Sequence, residues 1–427
     1  MYSVSLIHLS IRLVIEAGAS MRCAAAMLEL VAQHFHLSSP MPSASSIRLW
    51  IQRLGCYSLQ QPLEQSNDWV WMIDHTMQLG SMKLFVVVGC PLDRVPFGQR
   101  SLALSDLNPI ALVPMDGSSQ EKVDAVLEEA THRTGVPRQI VSDDASDLQK
   151  GVARFQERHP ETIRVHDVAH HVANTLKHFW DGDPRWHELV QQMQKTSDRL
   201  RQSDHAHLMA PKLRRKARFM SVDRFVRYAS WLLTKLQGVN PPEAVEREYG
   251  WLREFASELP HWREQLRVSQ ALLRRVRVDG LHCWSFDAVQ SDWGAVLPHP
   301  TTELLLGRMR GYVQRYRSQL RGSETLVGST EILESAFGKQ KRIVSDQSES
   351  GLTGLSLALG AMLGGVDEAM LRAGLEAVPE KKSTGWVDRT FGKTLQWFRR
   401  QLLGEKNPPE QPVNPETPTT QPVPKTG

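Results

Sequence analysis

Three acids in this sequence are placed where they could do chemistry together. Asp74 closes the apolar run Trp69-Val70-Trp71-Met72-Ile73, Asp143 closes Ile140-Val141-Ser142, and Glu334 lies in the helical stretch from Glu331 to Lys341. The first two runs have strand character and the third has helical spacing. A fold that brings both strand ends beside that helix gathers three hard oxygen donors, the kind that suit Mg²⁺ or Mn²⁺. Two such ions about 4 Å apart can activate an attacking water or 3′-hydroxyl and stabilise the leaving oxygen of a phosphodiester. The chemistry to expect is the cutting and rejoining of nucleic acid.

Two of these acids have a neighbour that could replace them. Asp143 and Asp144 are adjacent, and only one of them can point along the strand end into a site. Glu331 and Glu334 sit one helical turn apart on nearly the same face, so either could ligate. Asp147 suits the N-terminus of the following helix, where a carboxylate satisfies free backbone N–H groups.

The elements that must position these acids are legible from periodicity. Strand signals cover Trp69 to Ile73, Lys83 to Val88 and Pro109 to Val113. A helix follows over Gln120 to Thr134, then a strand over Gln139 to Val141, a helix over Asp147 to Arg158, a strand over Thr162 to Val165 and a helix from about Asp167. Three strands, a helix, a strand, a helix and a strand match the order of an RNase H-like α/β core with a mixed five-stranded sheet. In that topology the first and fourth strands are neighbours, which sets Asp74 beside Asp143. Residues 67–174 are read as the first part of this core and 322–403 as its second part, with the Glu334 helix and C-terminal helices. Between them, 175–321 reads as an all-helical insertion that holds seven of the twelve tryptophans, expected mainly in its core.

Residues 1–66 read as three helices forming a helix-turn-helix domain. The third, Ser43 to Leu54 ending at Gly55, turns Ile47, Trp50, Ile51 and Leu54 to one side and leaves Arg48, Gln52 and Arg53 to reach bases and phosphates. Residues 404–427 are rich in Pro, Thr, Gln and Glu and are expected to be a disordered tail.

Composition bounds the partners. The 427 residues are 41% hydrophobic and carry a formal charge of only +4, so a nucleic acid must be met by local basic patches. Between Lys195 and Lys235 eleven Lys or Arg face three acids. Arg214, Arg215, Lys216 and Arg218 form its densest part, which is either a backbone-binding patch or a solvated face. Lys339 and Lys341 are further phosphate candidates. The four cysteines are far apart and suggest neither a zinc ribbon nor a disulfide framework. No apolar run approaches a membrane span, and no signal segment is evident, so a cytoplasmic, nucleoid-associated protein is expected. His166-Asp167-Val-Ala-His170 has the spacing of a zinc-protease motif, with Glu188 as a third ligand. The short Asp in place of Glu and the start at a strand end speak against that use.

Together these residues resemble the DDE transposases of bacterial insertion sequences, especially those with a helical insertion before the last acid. Ile140-Val-Ser-Asp143-Asp-Ala-Ser-Asp147 is similar to the segment around that family's second Asp, and Glu334-Ser-Ala-Phe337-Gly338-Lys339 to its glutamate helix. Phe337 follows Glu334 by three, as in hAT-type elements. Lys341 keeps the spacing of the E-K half of a Y-R-E-K signature, whose Tyr and Arg are here Val327 and Thr330. The resemblance selects Asp143 over Asp144 and Glu334 over Glu331. It implies that Asp74, Asp143 and Glu334 hold two Mg²⁺ or Mn²⁺ ions and that Asp167 and His170 stand for a C-x-x-H pair with Asp replacing Cys. It further implies transposon ends and target DNA as partners, a homodimer or higher oligomer on DNA, and cleavage followed by strand transfer. An RNase H-like nuclease without strand transfer and a non-catalytic DNA-binding derivative are the alternatives.

Overall fold

The computed structural model describes residues 2–79, 82–213, 222–345, 353–392 and 402–403. Arg214, Arg215, Lys216, Arg218 and the 404–427 tail lie outside the described residues. The centre is a five-stranded mixed sheet of β1 (Trp69–Leu79), β2 (Met82–Pro91), β3 (Asn108–Asp116), β4 (Gln139–Ser142) and β5 (Ile163–His166). Its order is β3-β2-β1-β4-β5, with β1 and β2 antiparallel, β2 and β3 antiparallel, and β1, β4 and β5 parallel. The first and fourth strands are therefore neighbours, as the sequence leads one to expect.

Alternation along β1 sorts the two faces of the sheet. Trp69, Trp71 and Ile73 pack with Phe85, Val87 and Ile140 against α4 (Gln120–Thr134) and α5 (Ser146–Arg158) through Val123, Leu127, Leu148 and Phe155. Val70 and Met72 face the other way with Val86, Val141 and Val165, into a larger core continuous with the helical part of the chain. That part comprises α6 (Val168–Trp180), α7 (Pro184–Leu200), α8 (Val222–Leu236), α9 (Glu243–Tyr249), α10 (Glu258–Asp279), α11 (Ser285–Trp293) and α12 (Pro300–Arg317). The boundary expected at 174 falls inside α6. Trp180, Trp186, Trp262 and Trp293 fill this core, whereas Trp231 and Trp284 are exposed. All four cysteines are free thiols, and among the described residues no helix is long and apolar enough to cross a membrane.

The last elements are α13 (Glu331–Ser345), α14 (Ala358–Met362), α15 (Glu368–Ala377) and α16 (Glu380–Phe391). They do not form a unit apart from the N-terminal helices α1 (Val4–Ile15), α2 (Met21–His34) and α3 (Ala44–Gln60). Ile7, Ile11, Ile47, Trp50, Ile51 and Leu54 share one core with Ile343, Leu355, Ala358, Met362 and Leu371. That core crosses the boundaries expected at 66 and 322. Gly55 does not end α3. A Cβ there would stand 1.8 Å from the Leu357 carbonyl oxygen, so glycine is what lets the two segments touch while the helix continues to Gln60.

This packing changes the role of two residues expected to read DNA. The Arg53 guanidinium donates to the carbonyl oxygens of Val378, at 2.6 Å, and Leu375, closing the C-terminus of α15. A cation there satisfies orphan carbonyls and complements the helix dipole. Gln52 lies against Gly354, where an added Cβ would stand 2.5 Å from its Nε2. Both side chains are partly covered, and Arg48 alone of the three stays exposed. Arg53→Ala is therefore expected to lower stability by about 2–4 kcal/mol through lost charged hydrogen bonds, measured by urea denaturation. An unchanged midpoint would remove Arg53 from the list of structural residues.

Candidate active site

Backbone register gathers the acids. Val70, Met72 and their neighbours pair with β4 at a constant offset, Met72 opposite Val141, which sets Asp74 level with Asp143. β4 and β5 pair Val141 with Val165 and Ser142 with His166, and the Asp167 amide continues the ladder by donating to the Ser142 carbonyl at 2.9 Å. Asp74, Asp143 and Asp167 thus occupy one level across three adjacent parallel strands, Asp74 within β1 and the other two just past the ends of β4 and β5. Side-chain alternation turns them to the face of Met72, Val141 and Val165. The helix α13 packs across that face through Leu333, Ala336 and Phe337. β1 does not end at Asp74, as its apolar run suggests; it continues to Leu79 as a hairpin arm with β2, in which Asp74 pairs with Val86.

The acids feel one another. The Asp74 carboxyl is pushed up to about 7, first by burial, then by Asp143 and Glu334, against the pull of the His75 amide and of His170. Glu334 is likewise raised, mainly by burial, with His170 the largest opposing influence. His170 goes the opposite way, up to about 9, because it hydrogen-bonds Asp167 and lies in the field of Asp143 and Glu334. It is an imidazolium set among carboxylates.

As the side chains stand, each of the two aspartates takes a nearby backbone donor. The His75 amide donates to Asp74 Oδ1 at 2.6 Å and the Ala145 amide to Asp143 Oδ1 at 2.9 Å. Among the described residues no three acidic, histidine or cysteine side chains converge closely enough to hold a metal ion in this arrangement. The donor set nonetheless fits a hard divalent cation. Three carboxylates that act on one another electrostatically, one of them raised to about 7 first by burial and then by Asp143, are what such an ion would relieve.

Neighbouring acids are engaged elsewhere. Asp144 is exposed, 3.3 Å from the Arg164 guanidinium and 3.0 Å from His166 Nε2. Glu331 pairs with Arg277, which leaves Glu334 as the helix acid without an ion-pair partner among the described residues. Asp147 lies in the first turn of α5, and its Oδ2 is 3.0 Å from His75 Nε2, which also meets Ser118 Oγ at 3.0 Å. Ser118 and Asp147 share one nitrogen, so this is not a nucleophilic triad, which needs both ring nitrogens. Lys341 is exposed and Lys339 half-buried, on the helix that carries Glu334. The zinc-protease reading loses its ligands: His170 is held by Asp167, His166 faces Asp144, and Glu188 binds Arg185 at 2.5 Å.

The chain is similar in structure to the protein in a Drosophila P element transposase strand transfer complex, with a TM-score of 0.42 and 11% identity over 87% of this chain and 94% of that one. No family model matches the chain, and no curated protein matches its sequence.

The residue whose part the sequence left open is Asp167. It is 1% exposed and accepts four hydrogen bonds: from the Thr330 amide at 2.5 Å, the Thr330 hydroxyl at 3.0 Å, the His170 amide at 2.8 Å and His170 Nδ1 at 3.2 Å. Burial pushes its carboxyl up, yet these donors hold it below the usual carboxylate range. Two further ties bind the same approach to α13: the Val168 amide donates to Gly328, and Gln139 exchanges hydrogen bonds with Val327. The carboxylate thus caps α6 and fixes the residue before α13, setting where Glu334 stands. Its signal in the sequence was its position after the β5 run, matching Asp143 after β4.

Proposed function

We propose that this chain is a DDE-type DNA transposase, an RNase H-like core that cuts transposon ends and joins them to target DNA. The observation that carries the reading is the shared level of Asp74 and Asp143 at adjacent parallel strands, with Glu334 on the helix α13 that packs across that face. The strand order, with three antiparallel strands followed by two parallel ones, supports reading an RNase H-like core, and the helices between β5 and α13 would be the insertion of such a transposase.

Asp74, Asp143 and Glu334 would hold Mg²⁺ or Mn²⁺. Bound there, a pair of such ions supplies an activated water or 3′-hydroxyl and charge stabilisation at phosphorus. The chain's own residues do the rest. Asp74 presents its carboxylate from within a paired strand, and Asp143 from the first residue after one. Asp167 holds the glutamate helix in register. His170, a fixed cation, lowers the repulsion among the acids and offers a charged donor beside them. Arg277 keeps Glu331 away from the cluster.

The test uses duplex DNA carrying the terminal repeats that flank the coding region. With Mg²⁺ or Mn²⁺, wild-type protein is expected to nick these ends, leaving 3′-hydroxyls, and to join them to a supercoiled plasmid. Asp143→Asn is expected to abolish both steps while leaving end binding within about threefold, since one ligand charge is lost from a site the fold does not depend on. Nicking without joining would select the nuclease alternative. Binding without either step in wild type would select the non-catalytic one.

A further inference from the structure

Resting on the reading of a DNA-processing site, we infer that the paired outer faces of α6 and α12 form a track for the sugar-phosphate backbone of duplex DNA leading to the acids. The two helices run antiparallel. His171 stacks on Tyr312 at 4.6 Å, and Trp180 reaches Thr301 and Thr302 through Gln265 at the far end. Their site-side ends are anchored to the edge strand β5. The Tyr312 hydroxyl donates to the His166 carbonyl at 2.7 Å, and the His166 amide donates to Tyr316 at 2.9 Å. The track therefore starts one residue from Asp167.

Its outward charge is one-sided. α6 carries no acid, and α12 carries only Glu303, in its first turn, distant from the site. Lys177, Arg308 and Arg315 are exposed and, among the described residues, make no ion pair with a carboxylate. Most other exposed arginines here are already paired, such as Arg158, Arg253 and Arg321. Arg308 lies with its guanidinium 5.2 Å from the Phe179 ring centroid, a cation–π contact that helps order the exposed side chain. Arg315 acts electrostatically on His171 and Tyr312 at the site end. Between them the surface is bare: Gly307 and Gly311 are exposed, with no atom within 4 Å of the place a Cβ would take. A phosphate chain can approach the helix backbone there without meeting a side chain. Unpaired cations spaced along about 15 Å of helix, on a smooth face ending at three carboxylates, fit a polyanion. An acidic protein surface would gain nothing from that end.

Each phosphate contact contributes about 0.9 to the slope of log K against log salt on duplex DNA. Full-length Lys177→Ala/Arg308→Ala/Arg315→Ala is expected to lose up to about 2.7 units of slope and to weaken end and random duplex alike, with an unchanged melting temperature. Gly311→Leu raises helix propensity and is expected to weaken duplex binding about tenfold by filling the bare face. An unchanged slope in the triple variant, with Asp143→Asn still abolishing cleavage, would overturn the track and leave the catalytic reading intact. Absence of salt-dependent binding in wild type would overturn both.

Discussion

Asp74→Asn is expected to abolish metal-dependent cleavage and at the same time to make the protein more stable above pH 7. The carboxyl's value rises from the ordinary 3.8 to about 7 in the folded chain, through burial first and then through Asp143 and Glu334. Between those values the folded state keeps a proton that the unfolded state has released, so stability falls as pH rises through this window. The loss is complete above about 7. Each unit corresponds to about 1.4 kcal/mol, and partial solvent access reduces the total, so the substitution should recover about 1–3 kcal/mol at pH 8 and almost nothing at pH 4. Added Mg²⁺ or Mn²⁺ should raise the melting temperature of the wild type, as expected of an ion that would bind the folded cluster and not the unfolded chain, and should do so far less in the variant. Melting curves from pH 4 to 9, with and without the ion, check this. A variant less stable than wild type at pH 8 would show that Asp74 holds the sheet together instead of straining it.

The second large effect is expected at a residue outside the ligand set. Asp167→Ala leaves the Thr330 amide and hydroxyl and the His170 amide without their acceptor in a buried place. Unmade buried hydrogen bonds of this kind, with the loss of a compensating charge, cost about 3–5 kcal/mol. Cleavage should fall at least a hundredfold even in the fraction that folds, since Glu334 is placed through this carboxylate and catalysis is sensitive to errors of about 1 Å. Asp167→Asn is the informative companion. It keeps the shape, replaces one acceptor oxygen by a donor, and removes the charge that raises His170. The imidazole should then titrate well below its present value of about 9, as read by NMR of its ring protons. Cleavage at the wild-type rate in Asp167→Asn would deny Asp167 any positioning role.

The candidate site was legible because strand physics is local. Alternation of Val70, Met72 and Asp74 against Trp69, Trp71 and Ile73 assigns a face before any fold is known, and an acid that follows an apolar strand has few places to go. The level shared with Asp167 was hidden, because the offset between β4 and β5 is a tertiary fact. The length of β1 was also hidden: Asp74 to Leu79 has no apolar alternation, yet pairing with β2 carries it on. Helix α3 shows the opposite failure. Its polar stripe of Arg48, Gln52 and Arg53 reads alike whether it faces water, a DNA groove or the carbonyl end of another helix. The helix that Arg53 caps lies more than 300 residues further along.

That distance has a consequence for how the protein is made. Ile47, Ile51 and Leu54 leave the ribosome early, but their packing partners Leu355, Ala358 and Leu371 emerge about 300 residues later, roughly 15–60 s at ordinary elongation rates. During that interval α1, α2 and α3 have chiefly one another to pack against. The final packing of α3 thus waits on the synthesis of the segment from 353 onward, which couples two stretches of chain that periodicity alone reads as separate.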